Sequence, residues 1–213
     1  HTRSVWAFLL NRSSDLAING LEWTHHRQLV FDAGNEYRKF EVLDVSHPTM
    51  GIDHILWDGD NYQAYPFIDE PRPNYLYDED ANGSFCIRNS NDSYNDTHSE
   101  YVWVNYRLHS DIGQRIRISG RWTTEGPDTY RMLYDPANHL YTACILQKQG
   151  YYSYQYLIDG TDELLPSEGS YYQTENHYQG LVYYKGTTDR TWRLIAYYIA
   201  RSEERRVGKE CRS

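Results

Sequence analysis

The residues best equipped for chemistry form a short acidic run, Asp78-Glu79-Asp80-Ala81-Asn82-Gly83. Asp78, Asp80 and Asn82 put oxygen ligands at alternate positions ahead of a glycine, as in the first half of a calcium loop. The twelfth position of such a loop is Asn89 here, where a bidentate glutamate belongs. Two readings follow: a weak Ca2+ site on Asp78, Asp80 and Asn82, or an acidic Asn-Gly turn that opens a strand at 84–88, and the turn is preferred. His25 and His26 are adjacent, so on an extended chain they point to opposite faces and cannot share one metal ion. The other histidines have no ligand spacing. The sequence contains no nucleophile elbow, zincin helix motif, phosphate-binding loop or dinucleotide fingerprint. With so many carboxylates, no acidic pair stands out for glycosidic cleavage. We therefore expect no enzymatic activity and no required cofactor.

Aromatic residues give the other signal. The chain has 22 Tyr and 6 Trp against 2 Met. Such a composition favours strands and partner surfaces over helical bundles. In GYYSYQYLIDG, residues 150–160, Tyr152, Tyr154 and Tyr156 share one side of an extended chain. A row of this kind is either core lined with phenol rings or a flat binding platform, and the core reading is preferred.

Strands must position these residues. Segments 28–31, 36–45, 52–57 and 62–68 are rich in aromatic and β-branched residues and are separated by turn formers. Asp58–Asn61, with its Asp-Gly pair, predicts a hairpin connection. Residues 101–109 alternate with Val102, Val104, Tyr106 and Leu108 on one side, which predicts a half-buried antiparallel strand. Ile116 and Ile118 point inward by the same rule. Further strands are expected near 130–134, 140–146, 150–159, 180–185 and 191–199. Helix evidence is confined to residues 4–11, where an extended pattern fits about as well. Short strands recurring about every ten residues predict an all-β, immunoglobulin-like sandwich with an additional N-terminal β-layer. The expected division is 1–27 as the end of a preceding domain or a linker, 28–98 as the β-layer and 99–200 as the sandwich. Residues 201–213 read as the in-frame translation of a sequencing adapter, a non-native tail.

The formal charge is −9, and without the five basic and three acidic residues of that tail it is −11. Binding to nucleic acid needs a basic field, so that partner class is not expected. No apolar run approaches the ~18 residues of a membrane-spanning helix. Cys86 and Cys144 are expected as buried small hydrophobes, with a bridge between them left open. Asn11, Asn82, Asn91 and Asn95 begin Asn-x-Ser/Thr sequons, which matter only in a host that glycosylates them.

Several blocks are similar to a known family. LVFDAGNEYRKFE (29–41), YDEDANGSFCIR (77–88), the 148–156 stretch, then EGS (168–170) with QTENHY (173–178) and VYY (182–184) resemble the type IX secretion system plug proteins of Bacteroidota. This family was long known only as a domain of unknown function. The pattern departs at Cys86, where an aromatic is expected, and after Arg193. The resemblance covers roughly residues 20–200 and corresponds to the C-terminal part of proteins about twice this length. It implies a non-enzymatic periplasmic subunit, associated with the outer membrane, that occludes the periplasmic side of a β-barrel translocon. Partner-binding residues are then expected among Tyr65, Phe67, Tyr75 and Tyr77, in or beside the Pro-rich stretch 69–77, and at Tyr171 and Tyr172. Residues 113–160 also resemble the glycogen- and starch-binding early-set sandwiches. That alternative implies a carbohydrate-binding module with Trp122 and Trp192 stacking on sugar rings.

Overall fold

The computed structural model describes residues 2–10, 32–91 and 97–201, the first of these stretches as backbone only. The protein is all-β, built of several sheets. Its strands are β1 (Thr2–Leu10), β2 (Arg38–Val42), β3 (Ile52–Trp57), β4 (Tyr62–Pro66), β5 (Phe85–Ile87) and β6 (Tyr101–His109). They continue as β7 (Ile116–Ser119), β8 (Leu133–Asp135), β9 (Leu140–Lys148), β10 (Gly150–Ile158), β11 (His177–Tyr184) and β12 (Arg193–Arg201). Two short 3-10 turns, Pro127–Tyr130 and Pro166–Glu168, are the only helical pieces among the described residues. No helix there is long and apolar enough to cross a membrane.

The chain divides into two compact units, residues 34–170 and the pair of segments 1–33 and 171–213. The first unit is a sandwich. One sheet has the order β3-β4-β6-β9-β8; the other has β10 at its centre, flanked by β2 and β5, with β7 pairing the far half of β10. The two face each other across one apolar cluster. β6 sends in Val102, Val104, Tyr106 and Leu108, the predicted set, and they meet Phe40, Ile116, Ile118 and the β10 tyrosines. Tyr106 of one sheet lies 5.6 Å from Phe40 and 5.2 Å from Tyr154 of the other, ring centre to ring centre and edge-on. This is the geometry in which aromatic quadrupoles attract.

The strands of residues 28–98 are shared between both sheets instead of stacking as a layer of their own. β2 and β5 flank β10, while β3 and β4 extend the β6 sheet. The division between units consequently does not fall at 98/99. Gly150 marks the point where the chain leaves the first sheet and enters the second. A Cβ there would lie 2.3 Å from the Cys86 carbonyl oxygen, and its φ is +153°, so only glycine fits.

The turn between β3 and β4 is the predicted one: Trp57 pairs with Tyr62, and Gly59 has φ +112°. The Asp58 carboxylate accepts from the Asp60 and Asn61 amides at 2.9 and 2.8 Å.

In the second unit, β1 pairs in parallel with β11, and β11 pairs antiparallel with β12. The helical alternative for residues 4–11 is therefore replaced by strand β1. Its run of Val, Trp and Phe suits a ladder, and the partner that makes it extended lies some 170 residues away, beyond the reach of a local pattern. The expected strand at 28–31 and the His25-His26 pair lie outside the described residues. So does the expected tail, except Arg201, which ends β12.

Candidate functional site

The outer face of the five-stranded sheet is built by strand parity. On β6 the residues opposite the core set are Tyr101, Trp103, Asn105 and Arg107. Strand register extends them sideways: Leu56 of β3 pairs Gln63 of β4, Gln63 pairs Trp103, and Trp103 pairs Leu146 of β9. The result is a straight row, Leu56–Gln63–Trp103–Leu146, crossing four strands. Leu56 is 52% exposed, Leu146 47%. Asn105 anchors the middle by donating to the Gln63 side-chain oxygen at 2.9 Å.

Two cations lie against rings of this face. Arg107 is 5.4 Å from the centre of the Tyr65 ring, and Lys148 is 5.3 Å from that of Tyr101. Tyr65 also stacks on His54 at 4.4 Å. Such contacts hold the rings in place, so the face presents preset aromatic area and not loose side chains. Phe67 continues the outward side of β4 and is 60% exposed. A surface of this composition, apolar and aromatic with flanking arginine, has the make-up of interface anchors.

Of the residues expected to contact a partner, Tyr65 and Phe67 lie together at the β4 end of this face. Tyr75 is half-buried, and its hydroxyl donates to Glu36 at 3.1 Å. Tyr77 is exposed. Tyr171 and Tyr172 belong to the other compact unit, where Tyr172 is 83% exposed. Leu56, Tyr101, Trp103 and Leu146 were not foreseen as partner residues. The alternation of 101–109 already placed Tyr101 and Trp103 away from the core; the register that joins them to Leu56 and Leu146 has no local signature.

Trp122 is not available for stacking on a sugar. It is 9% exposed, its indole N–H donates to the Ser153 carbonyl at 3.0 Å, and Tyr106, Tyr130 and Tyr152 surround its ring. Trp192 is partly exposed, in the other unit.

The acidic run is a turn. Asn82 and Gly83 have φ +53° and +75°, and the Ser84 amide donates to the Ala81 carbonyl at 2.9 Å. Asp80 accepts from the Asn82 and Tyr37 amides, and Asp78 accepts from Lys39 at 2.6 Å. Among the described residues no three His, Cys, Asp or Glu side chains are grouped to hold a metal ion. Cys86 and Cys144 are both free thiols. Both were expected to be buried, but Cys86 is only half-buried, and Cys144 is exposed because its parity on β9 puts it on the outer face.

The tyrosine ladder is core. Tyr154 and Tyr156 donate to one oxygen of Asp69 at 2.8 and 2.7 Å, and Arg38 donates to the other at 2.8 Å. Arg38 also reaches Glu168 at 3.1 Å, and Arg72 pairs with the same carboxylate. Burial pushes the Asp69 carboxyl upward, against the pull of Arg38 and the two hydroxyls. This knot fastens the Pro-rich stretch after Asp69 to β2 and β10, which is why that stretch is ordered without a ladder of its own.

No family model matches the chain, and no curated protein is similar to it. A crystal structure of a hypothetical protein from Parabacteroides merdae ATCC 43184 is similar, with a TM-score of 0.72 and 33% identity. The match covers 84% of this chain and 47% of that one, so this chain spans about half the length of its relative.

Proposed function

We propose that this chain is part of a non-enzymatic plug subunit of the type IX secretion system. In this reading it sits in the periplasm and docks on the outer-membrane β-barrel translocon, closing the periplasmic side. The observation that carries the reading is the Leu56–Gln63–Trp103–Leu146 row with its fixed aromatic flank. Occlusion needs a rigid body with a complementary anchoring patch, and here the patch is carried by the strands of a sheet that is packed on its inner side. The partner is the one implied by the resemblance of the collinear sequence blocks.

The test is co-purification of the translocon barrel from outer membranes with the native protein, parent against the double variant Leu56→Lys, Leu146→Lys. Loss of the barrel at an unchanged melting temperature supports the docking role. Undiminished recovery with the folded double variant rejects this face as the dock.

A further inference from the structure

A second surface, at the β7 end of the sandwich, has a different chemistry. A groove of about 570 Å3 is lined by Arg115, Arg117 and Arg131, opposed by Asp159 and Asp162. Three guanidinium groups meet in this groove. Two of them are engaged. Arg131 donates to Asp159 at 2.7 Å and pairs with Asp128 at 2.6 Å, and Arg117 donates to the Thr161 carbonyl at 2.9 Å and pairs with Asp162 at 3.3 Å. Arg115 is exposed and pairs with no carboxylate among the described residues.

Its backbone is nevertheless fixed. The Arg115 carbonyl accepts from the Asp159 amide at 2.8 Å, and Arg117 and Arg131 bridge each other antiparallel. A neighbouring hollow of about 410 Å3 shares Arg115 and Arg131 and is otherwise lined chiefly by Met132, Leu133, Tyr134 and Tyr141. The combined cleft sets Arg115, free of a carboxylate among the described residues, beside the exposed ring of Tyr134. β8, which supplies Leu133 and Tyr134, is the last strand of its sheet. An extended chain can add to such an edge through its backbone.

We propose that this cleft binds an extended peptide through a carboxylate. Arg115 takes the carboxylate with its forked N–H donors, and the adjoining apolar side chain of the peptide rests on the exposed ring of Tyr134. The site is separate from the outer-face row, so it stands or falls apart from the docking reading.

The test is fluorescence anisotropy of the native protein with a labelled pentapeptide of alternating threonine and valine ending in phenylalanine. Three forms are compared: the free acid, its C-terminal amide, and an amide with aspartate before the phenylalanine. The free acid binds, the plain amide binds at least roughly tenfold more weakly, and Arg115→Ala brings the acid down to the amide, with part regained in Arg115→Lys. Binding of the aspartate amide as tight as the acid assigns a side-chain carboxylate, while weak binding assigns the chain terminus. Equal affinity for all three forms, an unchanged Arg115→Ala variant that melts as the parent does, or no binding of the acid at about 1 mM overturns the proposal.

Discussion

Tyr152, Tyr154 and Tyr156 on β10 and Tyr65, Tyr101 and Trp103 on the facing sheet are rings with opposite fates. The first three line the core, each with its hydroxyl bonded: two on Asp69, and Tyr152 on the Lys148 carbonyl at 2.7 Å. The second three lie on the outward side of their strands, two of them with a cation over the ring. A buried phenol must find a partner for its O–H. The partner decides which rings go in, and hydrophobicity alone does not. The Arg38–Asp69–Glu168 knot lets Tyr154 and Tyr156 serve as core.

The largest way to break that contrast is to hollow the core. Trp122→Ala removes a ring enclosed by three others and should cost about 3–5 kcal/mol in urea unfolding. An effect below about 1 kcal/mol would mean that Trp122 is a surface residue after all. Asp69→Ala should cost a similar amount, about 3–5 kcal/mol, because it strips one partner from buried Arg38 and both tyrosine hydroxyls. Tyr156→Phe keeps the ring and removes one hydrogen bond to a charged group, so about 1.5–3 kcal/mol is expected in the same measurement.

Alkali tests the buried side differently. Burial raises the hydroxyl pKa of Tyr106, Tyr154 and Tyr156 well above the usual tyrosine value. Their folded pKa values exceed the unfolded ones, so the stability they carry is whole below about pH 10 and is lost as pH rises through the folded values. Melting temperatures should fall above about pH 10, with phenolate absorbance from the buried rings appearing together with unfolding. A flat profile would show that these hydroxyls titrate freely. The smallest effect belongs to the outer face: Phe67→Ser should change stability by no more than about 0.5 kcal/mol.

Much of the sandwich was legible locally. The period of two in 101–109 and the Asp-Gly turn at 58–61 rest on neighbours within a few residues, and both fell where expected. The fate of the ladder was harder to read. Asp69 lies 85 and 87 residues from Tyr154 and Tyr156, so nothing in GYYSYQY distinguishes core from platform. Trp122 sits in a turn between strands, and its burial depends on a carbonyl and rings from three other elements. The outer row had half its signal in the alternation of β6. The other half is register between β3, β4, β6 and β9, which forms only when the sheet does.

The outer face of the five-stranded sheet is the proposed dock on the translocon. A photo-cross-linking residue placed at Leu146 in the native protein, irradiated in intact outer membranes, tests it most directly. The account predicts a cross-link to the barrel from that position, and none from the same probe at Tyr172 in the other unit. Barrel cross-links from Tyr172 with none from Leu146 would contradict it.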